Sequence, residues 1–578
     1  MKKTMKNIFK LLGIAILITG VLFACKESFL DGPAQGVLDQ STLGNSAGVE
    51  GNLISTYSML DGYAGYGGWG GAGSNWIFGS AGSDDAYKGS EAGDQQPAQD
   101  IEVFQWSTAG ADEYINDKFR IVYDGVARAN ATINLLRDVI EATPDEISAE
   151  DASRIEGEAI FLRAHYHFEG WKFWGNIPYY TEMDEDFKKP NLSSADALAA
   201  VLADLDAAIA KLPETQGDVG RVTKWTAKAY KGRVLMFKPD YGAALTVLRE
   251  VVDQGPYDLE ETFHNAFNAG NNNGPETVLA YQASVNDGQN DGNNGNRNDR
   301  LNFPHSGSPF GCCGFHQPSQ NLVNAFKVDA SGLPYLDGSW NDADLVPGLA
   351  GDAVDPRLDW TTGRDDVPFL DWGVHAPGWI RARAFAGPYS AKKTVYEKAS
   401  GAGSAVGWSN FQLHSMNYHL LRYADVLLML AEAEVEAGTL ENARTIINQI
   451  RERASQTAQG PDGGDVQVDI NSTQITWANY QIGLYTTAWT DQATARAAVR
   501  MERRLELAME GHRFFDLKRW GVLPEVMNAY LAVESTKREY LKAADQVVDK
   551  HYLYPFPITQ IELSIVDGVE QIAQNPGW

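Results

Sequence analysis

The stretch from Arg154 to Tyr180 constrains the fold of this 578-residue chain more than any other. Its apolar residues recur at three-, four- and seven-residue steps, which places them on one face of a helix: Ile155, Ala159, Leu162, Tyr166 and Phe173. Gly175 can adopt a positive φ, and Pro178 disfavours a helical conformation at the residue before it. We therefore predict a long amphipathic helix that ends at Gly175 and is followed by an extended segment.

Helical periodicity returns along most of the chain. We predict helices over residues 47–60, 111–140, 148–174, 194–212, 223–237, 241–253, 418–437, 440–454 and 491–509, and a shorter helical stretch after Gly511. Helix pairs of this length, with Ala and Gly at close contacts, are typical of tetratricopeptide repeats. The repeats are degenerate and widely separated, so each pair needs its neighbours to bury its apolar face.

The N-terminus carries the features of an exported lipoprotein. Four lysines in the first ten residues precede an apolar run, residues 11–24, that is shorter than the ~20 residues of a transmembrane helix. The run ends in Leu-Phe-Ala-Cys, which resembles a bacterial lipobox, so we predict a signal peptide over residues 1–24 and lipidation of Cys25. The alternative is an ordinary signal peptide followed by an unrelated cysteine. Residues 25–40 are then a lipidated tether, and the absence of Asp beside Cys25, where Lys26 stands, points to the outer membrane.

The charge and the cysteine content narrow the choice of ligands. Acidic residues outnumber basic residues by 76 to 48, and the formal net charge is −28. Such a charge disfavours nucleic acid and, more weakly, polyanions, so we expect a neutral ligand. With Cys25 lipidated, only Cys312 and Cys313 remain, and no disulfide framework exists despite the oxidising compartment.

Several motifs resemble those of the SusD/RagB family and occur in the order that the family has. They are Glu-Ala-Ile-Phe-Leu-Arg-Ala at 158–164, Trp-Gly-Asn-Ile-Pro at 174–178, Trp-Thr-Ala-Lys-Ala-Tyr at 225–230, Leu-Arg-Tyr-Ala-Asp-Val-Leu-Leu at 421–428, Glu-Gly-His-Arg-Phe-Phe-Asp-Leu at 510–517 and a closing Asn-Pro-Gly-Trp at 575–578. The resemblance covers the chain from Cys25 to Trp578. It implies a mainly α-helical, SusD-like fold, in which degenerate tetratricopeptide-type helix pairs form a scaffold for a large loop-rich ligand-binding face with few short strands.

The same resemblance implies the domain organisation. We predict a single SusD-like domain over residues 41–578. The helical scaffold takes residues of about 41–60, 111–260 and 415–578, and the loop-rich binding face takes residues of about 61–110 and 261–414.

The resemblance also implies the function. SusD-like proteins are lipid-anchored in the outer membrane, face the cell exterior, and capture oligosaccharides for a SusC-like TonB-dependent transporter. The resemblance implies neither a cofactor nor a catalytic residue. The charged residues of the motifs have structural roles in this interpretation, with ion pairs between Arg422 and Asp425 and between Arg513 and Asp516, each three residues apart.

Two other functions remain open. One is a peptide-binding, RagB-like import lipoprotein, because aromatic side chains also grip peptides. The other is a glycoside hydrolase, which needs two carboxylates roughly 5–10 Å apart, one of them with a raised pKa. The sequence contains no motif that marks such a pair.

Two non-helical regions are the predicted ligand face. Residues 62–93 contain eleven glycines and therefore predict a loop, on which aromatic rings can pack against sugar C–H faces while carboxylates bind sugar hydroxyls. The candidate contacts in this first region are Tyr66, Trp69, Trp76, Asp84 and Asp85. The candidates in the second region, residues 266–379, are Asn296, Arg297, Phe310, Phe315, His316, Trp340 and Trp372. The alternative for any of these aromatic residues is burial against the helices.

The adjacent cysteines, Cys312 and Cys313, are the most unusual local feature. In an oxidising compartment they can close an eight-membered disulfide ring, for which Gly311 and Gly314 supply conformational freedom. Such a ring would offer a rigid, weakly polar platform to a sugar, and we hypothesise that it lines the ligand site. The alternative is a pair of reduced, buried thiols. A metal site is less favoured, because adjacent cysteines cannot easily share one tetrahedral ion and only His316 is near.

Overall fold

The computed structural model describes residues 43–62, 68–288, 294–305, 307–406 and 412–578. The predicted signal peptide, Cys25, the tether and Tyr66 lie outside the described residues.

The described residues form a mainly α-helical protein with short, two-stranded sheets, which confirms the predicted fold class. The helices are α1 Ser46–Ser58, α2 Gln96–Glu102, α3 Ala109–Ala142, α4 Ala149–Trp174, α5 Ser194–Lys211, α6 Lys224–Phe237, α7 Tyr241–Gln254, α8 Gln320–Ala325, α9 Arg357–Thr361, α10 Arg383–Ala386, α11 Tyr423–Ala437, α12 Leu440–Ala454, α13 Gln492–Leu507, α14 Arg513–Arg519, α15 Leu523–Glu534 and α16 Ile558–Leu563. The strands are β1 Ala86–Gly89, β2 Thr277–Tyr281, β3 Phe315–Pro318, β4 Ala353–Val354, β5 Thr362–Gly363, β6 Ser390–Ala391, β7 Tyr418–Arg422, β8 Thr457–Gln459, β9 Gln467–Asp469 and β10 Asn479–Tyr480.

The long helices pack in sequence as an array of pairs. α1 lies on α3, which is followed by α4, α5, α6 and α7, and then by α11 with α12 and α13 on it. One hydrophobic core runs through all of these helices. The tetratricopeptide-type arrangement of helix pairs is therefore present. Within the described part of the chain, no helix is both long and apolar enough to cross a membrane.

Helix α4 has the ends and the contacts that its sequence predicts. The Ser148 hydroxyl caps its first turn by accepting from the N–H of Asp151 (3.0 Å). Gly175 follows its last residue with a φ of 70°. On the facing helix, a Cβ at Gly125 would lie 2.6 Å from the ring of Tyr166, so only glycine permits this approach of α3 to α4.

One predicted helix is wrong at its start. Residues Tyr418–Arg422 form strand β7, which pairs antiparallel with β2, and the helix begins only at Tyr423. The leucines of this segment fit either structure. The strand forms because a partner strand far away in sequence is available, which local periodicity cannot reveal.

The predicted ion pairs within single helices are also wrong. Asp425 pairs with Arg503 rather than with Arg422, and Arg513 pairs with Asp84 (2.7 Å) rather than with Asp516. Each partner comes from a different segment of the chain, so the charges connect elements instead of stabilising one helix.

A buried network of ten charged side chains joins the late helices to the loop-rich part. Its members are Glu276, Asp355, Arg357, Lys393, Arg422, Arg451, Arg453, Glu502, Glu506 and Glu510. Arg422 alone contacts Glu276 (2.7 Å), Glu506 (2.7 Å) and Glu510 (2.8 Å). Five positive and five negative groups balance, which is the arrangement that burial of charge requires.

The loop-rich part has an aromatic core of its own. Its buried members include Phe263, Phe303, Phe310, Trp360, Phe369, Trp372, Trp379 and Tyr396. Because this region has little regular secondary structure, large rings supply the apolar area that helices supply elsewhere.

Candidate ligand-binding site

The turn around Cys312 and Cys313 contains a disulfide between these adjacent residues, which is one of the two states that the sequence leaves open. Gly311 and Gly314 have φ of 77° and 76°, a left-handed conformation that favours glycine. The Ser308 hydroxyl accepts hydrogen bonds from two backbone N–H groups of the turn (3.2 and 3.4 Å). Cys312 is half-buried and Cys313 is buried, so one edge of the ring reaches the surface.

Strand pairing fixes the position of this turn. β3 follows it directly and pairs with β1. The N–H of Ser90 donates to the carbonyl of Gly314 (2.5 Å), and the N–H of Gly314 donates to the carbonyl of Phe303 (2.8 Å). The disulfide turn therefore lies between the segment after β1 and residues 294–305.

A third segment reaches the turn through Gln412. Its Nε2 donates to the carbonyl of Cys312 and lies 3.7 Å from the sulfur of Cys313. Nearby, the N–H of Asn296 donates to the carbonyl of His414 (2.8 Å). Segments that are hundreds of residues apart in sequence thus meet beside the disulfide.

Several buried polar atoms of His316, of Gln412 and of nearby segments have no hydrogen-bond partner among the described residues. Among the described residues, the buried atoms without a hydrogen-bond partner include both ring nitrogens of His316 and of His414, Oε1 of Gln412, Nδ2 of Asn298 and Oδ1 of Asn302. Burial lowers the pKa of His316 and of His414 to about 3, so both rings are neutral.

Trp69 provides a second apolar surface. It opens a short 3₁₀ helix and is half-buried. Lys118, from α3, donates to the carbonyls of Gly71 (3.2 Å) and Ala72 (2.8 Å), which follow Trp69 in the sequence. These bonds hold the segment against the scaffold. Trp69 and Cys312 are both partly exposed and both pack on one hydrophobic cluster, which includes Trp76 and Phe315.

A polar rim borders the disulfide turn next to Ser90. Arg381 donates to Asp94 (2.7 Å) and to the Ser90 hydroxyl (3.2 Å) and pairs with Glu91. The side chains of Arg381, Glu91 and Asp94 are 32%, 44% and 29% exposed, so their polar atoms remain within reach of a ligand. His305 lies beside them, and burial together with Arg381 lowers its pKa. Apolar platforms beside exposed guanidinium and carboxylate groups suit a ligand with flat C–H faces and many hydroxyls.

Comparison with known proteins identifies the family. A profile described as the SusD family matches residues 275–578, more than half of the chain. The chain belongs to the SusD family. A second profile, described as "Starch-binding associating with outer membrane", matches residues 73–236.

Individual relatives are distant but cover most of the chain. SusD-like protein P25 of Formosa agariphila is 23% identical over 80% of this chain and 79% of its own length. Surface glycan-binding protein A from Bacteroides fluxus has a similar structure, with a TM-score of 0.67, 21% identity and coverage of 92% of this chain and 99% of that one. A structure described as a laminarin-binding SusD-like protein has a TM-score of 0.61 and 22% identity, covering 92% of this chain and 100% of that one.

In this SusD-family chain, only some of the predicted contact residues remain available to a ligand. Trp69 and Cys312 are half-buried and keep part of their surface exposed. Trp76, Phe315 and His316 are buried, with relative exposures of only 1–2%. The ring of Trp76 packs against both Phe315 (6.0 Å between centroids) and His316 (5.6 Å). Their faces are covered by protein, so we no longer consider them candidate contacts.

Phe310 and Trp372 belong to the aromatic core of the loop-rich part. Their ring centroids are 4.7 Å apart, and the indole N–H of Trp372 donates to the carbonyl of Tyr396 (2.7 Å). The glycine-rich sequence around them correctly predicts a loop. It does not show that a loop of this size must bury its own large side chains.

Asp84 and Asp85 are structural rather than ligand-facing. Both are buried, Asp84 pairs with Arg513 (2.7 Å) and Arg504 (3.1 Å), and Asp85 pairs with Arg504 (3.0 Å). Burial alone would raise the pKa of Asp84, but the two guanidinium groups outweigh burial and lower it to about 2. These carboxylates are therefore satisfied within the protein.

The remaining predicted residues are dispersed. Asn296 is buried and donates to the carbonyl of Met416 (3.2 Å), and Arg297 is only 8% exposed, so both position the loop. Trp340 is half-buried but lines a different cleft, against α13.

Sequence reasoning missed Gln412 and the rim formed by Glu91, Asp94 and Arg381. None of them lies in a motif, and each depends on contacts between segments distant in sequence. Only the glycine-bracketed cysteine pair gave a local signal for this site.

Proposed function

We propose that this chain is a non-catalytic, cell-surface protein that captures oligosaccharides at the face carrying Trp69 and the Cys312–Cys313 ring. The observation that carries the proposal is the shared support of these two partly exposed apolar surfaces by one hydrophobic cluster, beside the rim of Arg381 and its carboxylates. A pyranose ring would pack on the indole and the disulfide, and its hydroxyls would bind the rim. The names of the relatives, which include glycan-binding and laminarin-binding proteins, support this reading.

We also propose that the protein is anchored in the outer membrane through a lipidated Cys25. The family description that mentions association with the outer membrane supports this placement. The tether would let the folded part move relative to its anchor. The captured oligosaccharide would then pass to a SusC-like TonB-dependent transporter.

An exposed apolar patch is the surface that we assign to the transporter. Met183, Phe187, Ile558 and Leu563 are 74%, 78%, 60% and 61% exposed. Phe187 and Leu563 line a groove of about 420 Å³ between α3, the segment after α4 and α16. Exposed apolar patches are a common feature of protein interfaces.

Replacing Phe187 and Leu563 by serine should therefore abolish co-purification with the transporter from detergent-solubilised outer membranes. The double variant should still bind glycan, because neither side chain lies at the disulfide face. Retained co-purification would rule out this patch as the contact.

The capture proposal predicts a loss of glycan affinity for two variants. Titration calorimetry of residues 26–578 against laminari-, malto- and uronate oligosaccharides, followed by product analysis, would find a neutral ligand that is recovered intact. Trp69→Ala and the Cys312→Ser/Cys313→Ser double variant should each weaken its binding about five- to thirtyfold, because each removes a stacking surface worth about 1–2 kcal/mol.

Trp340→Ala is the matched control, since Trp340 is equally half-buried but lies in another cleft. It should leave neutral-glycan binding unchanged. Cleavage of the sugar would favour the hydrolase alternative, and binding of peptides alone would favour the RagB-like one. Wild-type affinity in both site variants would refute the assignment of the face.

A further inference from the structure

A second cleft lies on the scaffold, between helices α13, α14 and α15 and the turn that carries Trp340. Its volume is about 250 Å³, slightly below the ~300–1,000 Å³ of typical small-molecule sites. Trp340, Met501 and Trp520 are among the aromatic and apolar residues that line it, and Arg500 lines it as well. A cleft of this size suits one residue of a longer chain molecule.

Trp340 forms a fixed wall of this cleft. The guanidinium of Arg504 lies over its ring, 5.4 Å from the centroid. Arg504 is itself held by Asp85 (3.0 Å) and Asn321 (2.8 Å). One face of the indole is thus supported from behind, and the ring is positioned in advance for a flat partner in the cleft.

Arg500 differs from its neighbouring arginines on α13 because it has no carboxylate partner in the part of the chain that the structure describes. Arg496, one turn earlier, pairs with Glu436 (2.8 Å), and Arg503 pairs with Asp516 (2.7 Å). Among the described residues, Arg500 forms no hydrogen bond or ion pair, and its buried Nε has no partner. It lies over the ring of Trp520, 4.7 Å from the centroid. Burial lowers the pKa of Arg500, as do Arg519 and Arg496, and these effects together outweigh the opposite effect of Glu432, which is itself paired with Arg519.

Arg500 is the arginine of this cleft that remains available to an anion. Arg504 and Arg513 also line the cleft, but both are paired with the buried carboxylates of Asp84 and Asp85. The single acid among the described lining residues is Glu525, which is exposed. At physiological ionic strength charges are screened beyond about 8 Å, so the local arrangement decides binding.

We propose that this cleft is a second saccharide site, selective for sugars that carry a carboxylate or a sulfate ester. The pyranose ring would pack on Trp340, and Arg500 would bind the anionic group through paired N–H donors. An acidic peptide offers a carboxylate but no flat, rigid ring for the indole. This site goes beyond the proposed capture of neutral oligosaccharides and uses none of the residues of the disulfide face.

Calorimetric titration of residues 26–578 with four probes tests this inference. The probes are tetragalacturonate, a sulfated carrageenan tetrasaccharide, maltotetraose and tetraglutamate. At least one of the two anionic sugars should bind, and maltotetraose and tetraglutamate should not bind at this cleft. Arg500→Gln and Trp340→Ala should each weaken binding of the anionic sugar at least tenfold, and Arg500→Lys should recover only part of it.

Arg496→Gln is the matched control, because it removes one positive charge from the same helix outside the cleft. Trp69→Ala is the control for the disulfide face. It separates a loss of neutral-sugar binding at that face from a loss of anionic-sugar binding in the cleft. Thermal midpoints verify that each variant is folded. Three results would overturn the inference: no binding of either anionic sugar, equal binding of tetraglutamate that also depends on Arg500, or an affinity unaffected by Arg500→Gln.

Discussion

Glu506→Gln is expected to lower the free energy of unfolding by about 3–5 kcal/mol, the usual cost of breaking a buried ion pair. Glu506 is fully buried and contacts Arg357 (2.9 Å), Arg422 (2.7 Å) and Arg453. Burial alone would raise its pKa, but Arg453, Arg422 and Arg357 outweigh burial and hold the pKa well below its usual range. Glutamine keeps the shape but removes the charge that these three guanidinium groups share.

The position of Glu506 makes the effect cooperative. Arg422 belongs to β7, Arg453 to α12 and Arg357 to α9, so a single carboxylate of α13 holds three elements from both parts of the protein. Loss of this charge should loosen the loop-rich part from the scaffold as well as lower overall stability. Urea unfolding monitored by tryptophan fluorescence measures the overall stability, and hydrogen exchange of β7 and α9 measures the loosening of the loop-rich part.

Glu441→Gln is the control for this prediction. Glu441 also pairs with an arginine, Arg444, but its side chain is 57% exposed. Water solvates both charges when that pair is broken, so the unfolding midpoint should not change. If the two variants were equally stable, the network would be dispensable, as some buried ion pairs are.

The helices of this fold could be predicted from sequence because their signals are local. The apolar face of α4, the glycine after it and the caps of its neighbours depend on residues within a few turns. Strand β7 could not be predicted in the same way, because its leucines fit a helix equally well. Its conformation depends on pairing with β2, which lies far away in sequence.

The candidate site was predictable only where a local feature carried it. The cysteine pair between two glycines allowed either a disulfide ring in a turn or two reduced thiols, and the structure contains the ring. Trp69 and Trp76 have similar sequence surroundings, but Trp69 is half-buried at the surface and Trp76 is 1% exposed. This difference in exposure depends on how each ring packs on the hydrophobic cluster. No sequence pattern within the glycine-rich loop predicts it.

The ion-pair partners of the charged residues could not be predicted from the sequence either. Asp84 and Asp85 stand in a loop among aromatic residues, where exposed carboxylates would suit sugar hydroxyls. Arg504 and Arg513, more than 400 residues later, bind them instead. Composition indicates that so many charges need partners, but only the fold decides which partners they find.

The stability of this protein is expected to fall on acidification from pH 6.5, because its buried histidines are neutral. An unfolded histidine has a pKa of about 6.5, whereas burial lowers the pKa of His316 and His414 to about 3. Between these values the unfolded chain binds protons that the folded protein does not. Stability therefore falls as the pH falls, by about 1.4 kcal/mol per pH unit for each such histidine.

A double variant, His316→Asn/His414→Gln, isolates this contribution. Asparagine tolerates the left-handed φ of 53° at position 316, and both replacements stay polar without titrating. The variant should be less stable than the wild type at pH 8, since its packing is poorer. From pH 6.5 to pH 4.5 it should lose about 4.6 kcal/mol less than the wild type, slightly under the limiting slope because an unfolded histidine is already half protonated at pH 6.5; urea unfolding at each pH measures this difference.

Other titrating groups do not affect the difference in pH dependence between the wild type and the double variant. Burial raises the pKa of Glu102 and of Asp299 to about 7, which acts in the opposite direction, but both groups are common to the two proteins. In the ion-pair network, Glu510 has a pKa of about 2 because Arg422 and Lys393 outweigh its burial, so it stays ionised throughout this window. The difference between the two pH profiles therefore belongs to His316 and His414. Parallel profiles would mean that these rings take up protons in the folded protein as readily as in the unfolded chain, and that the disulfide face holds water or charge beside them.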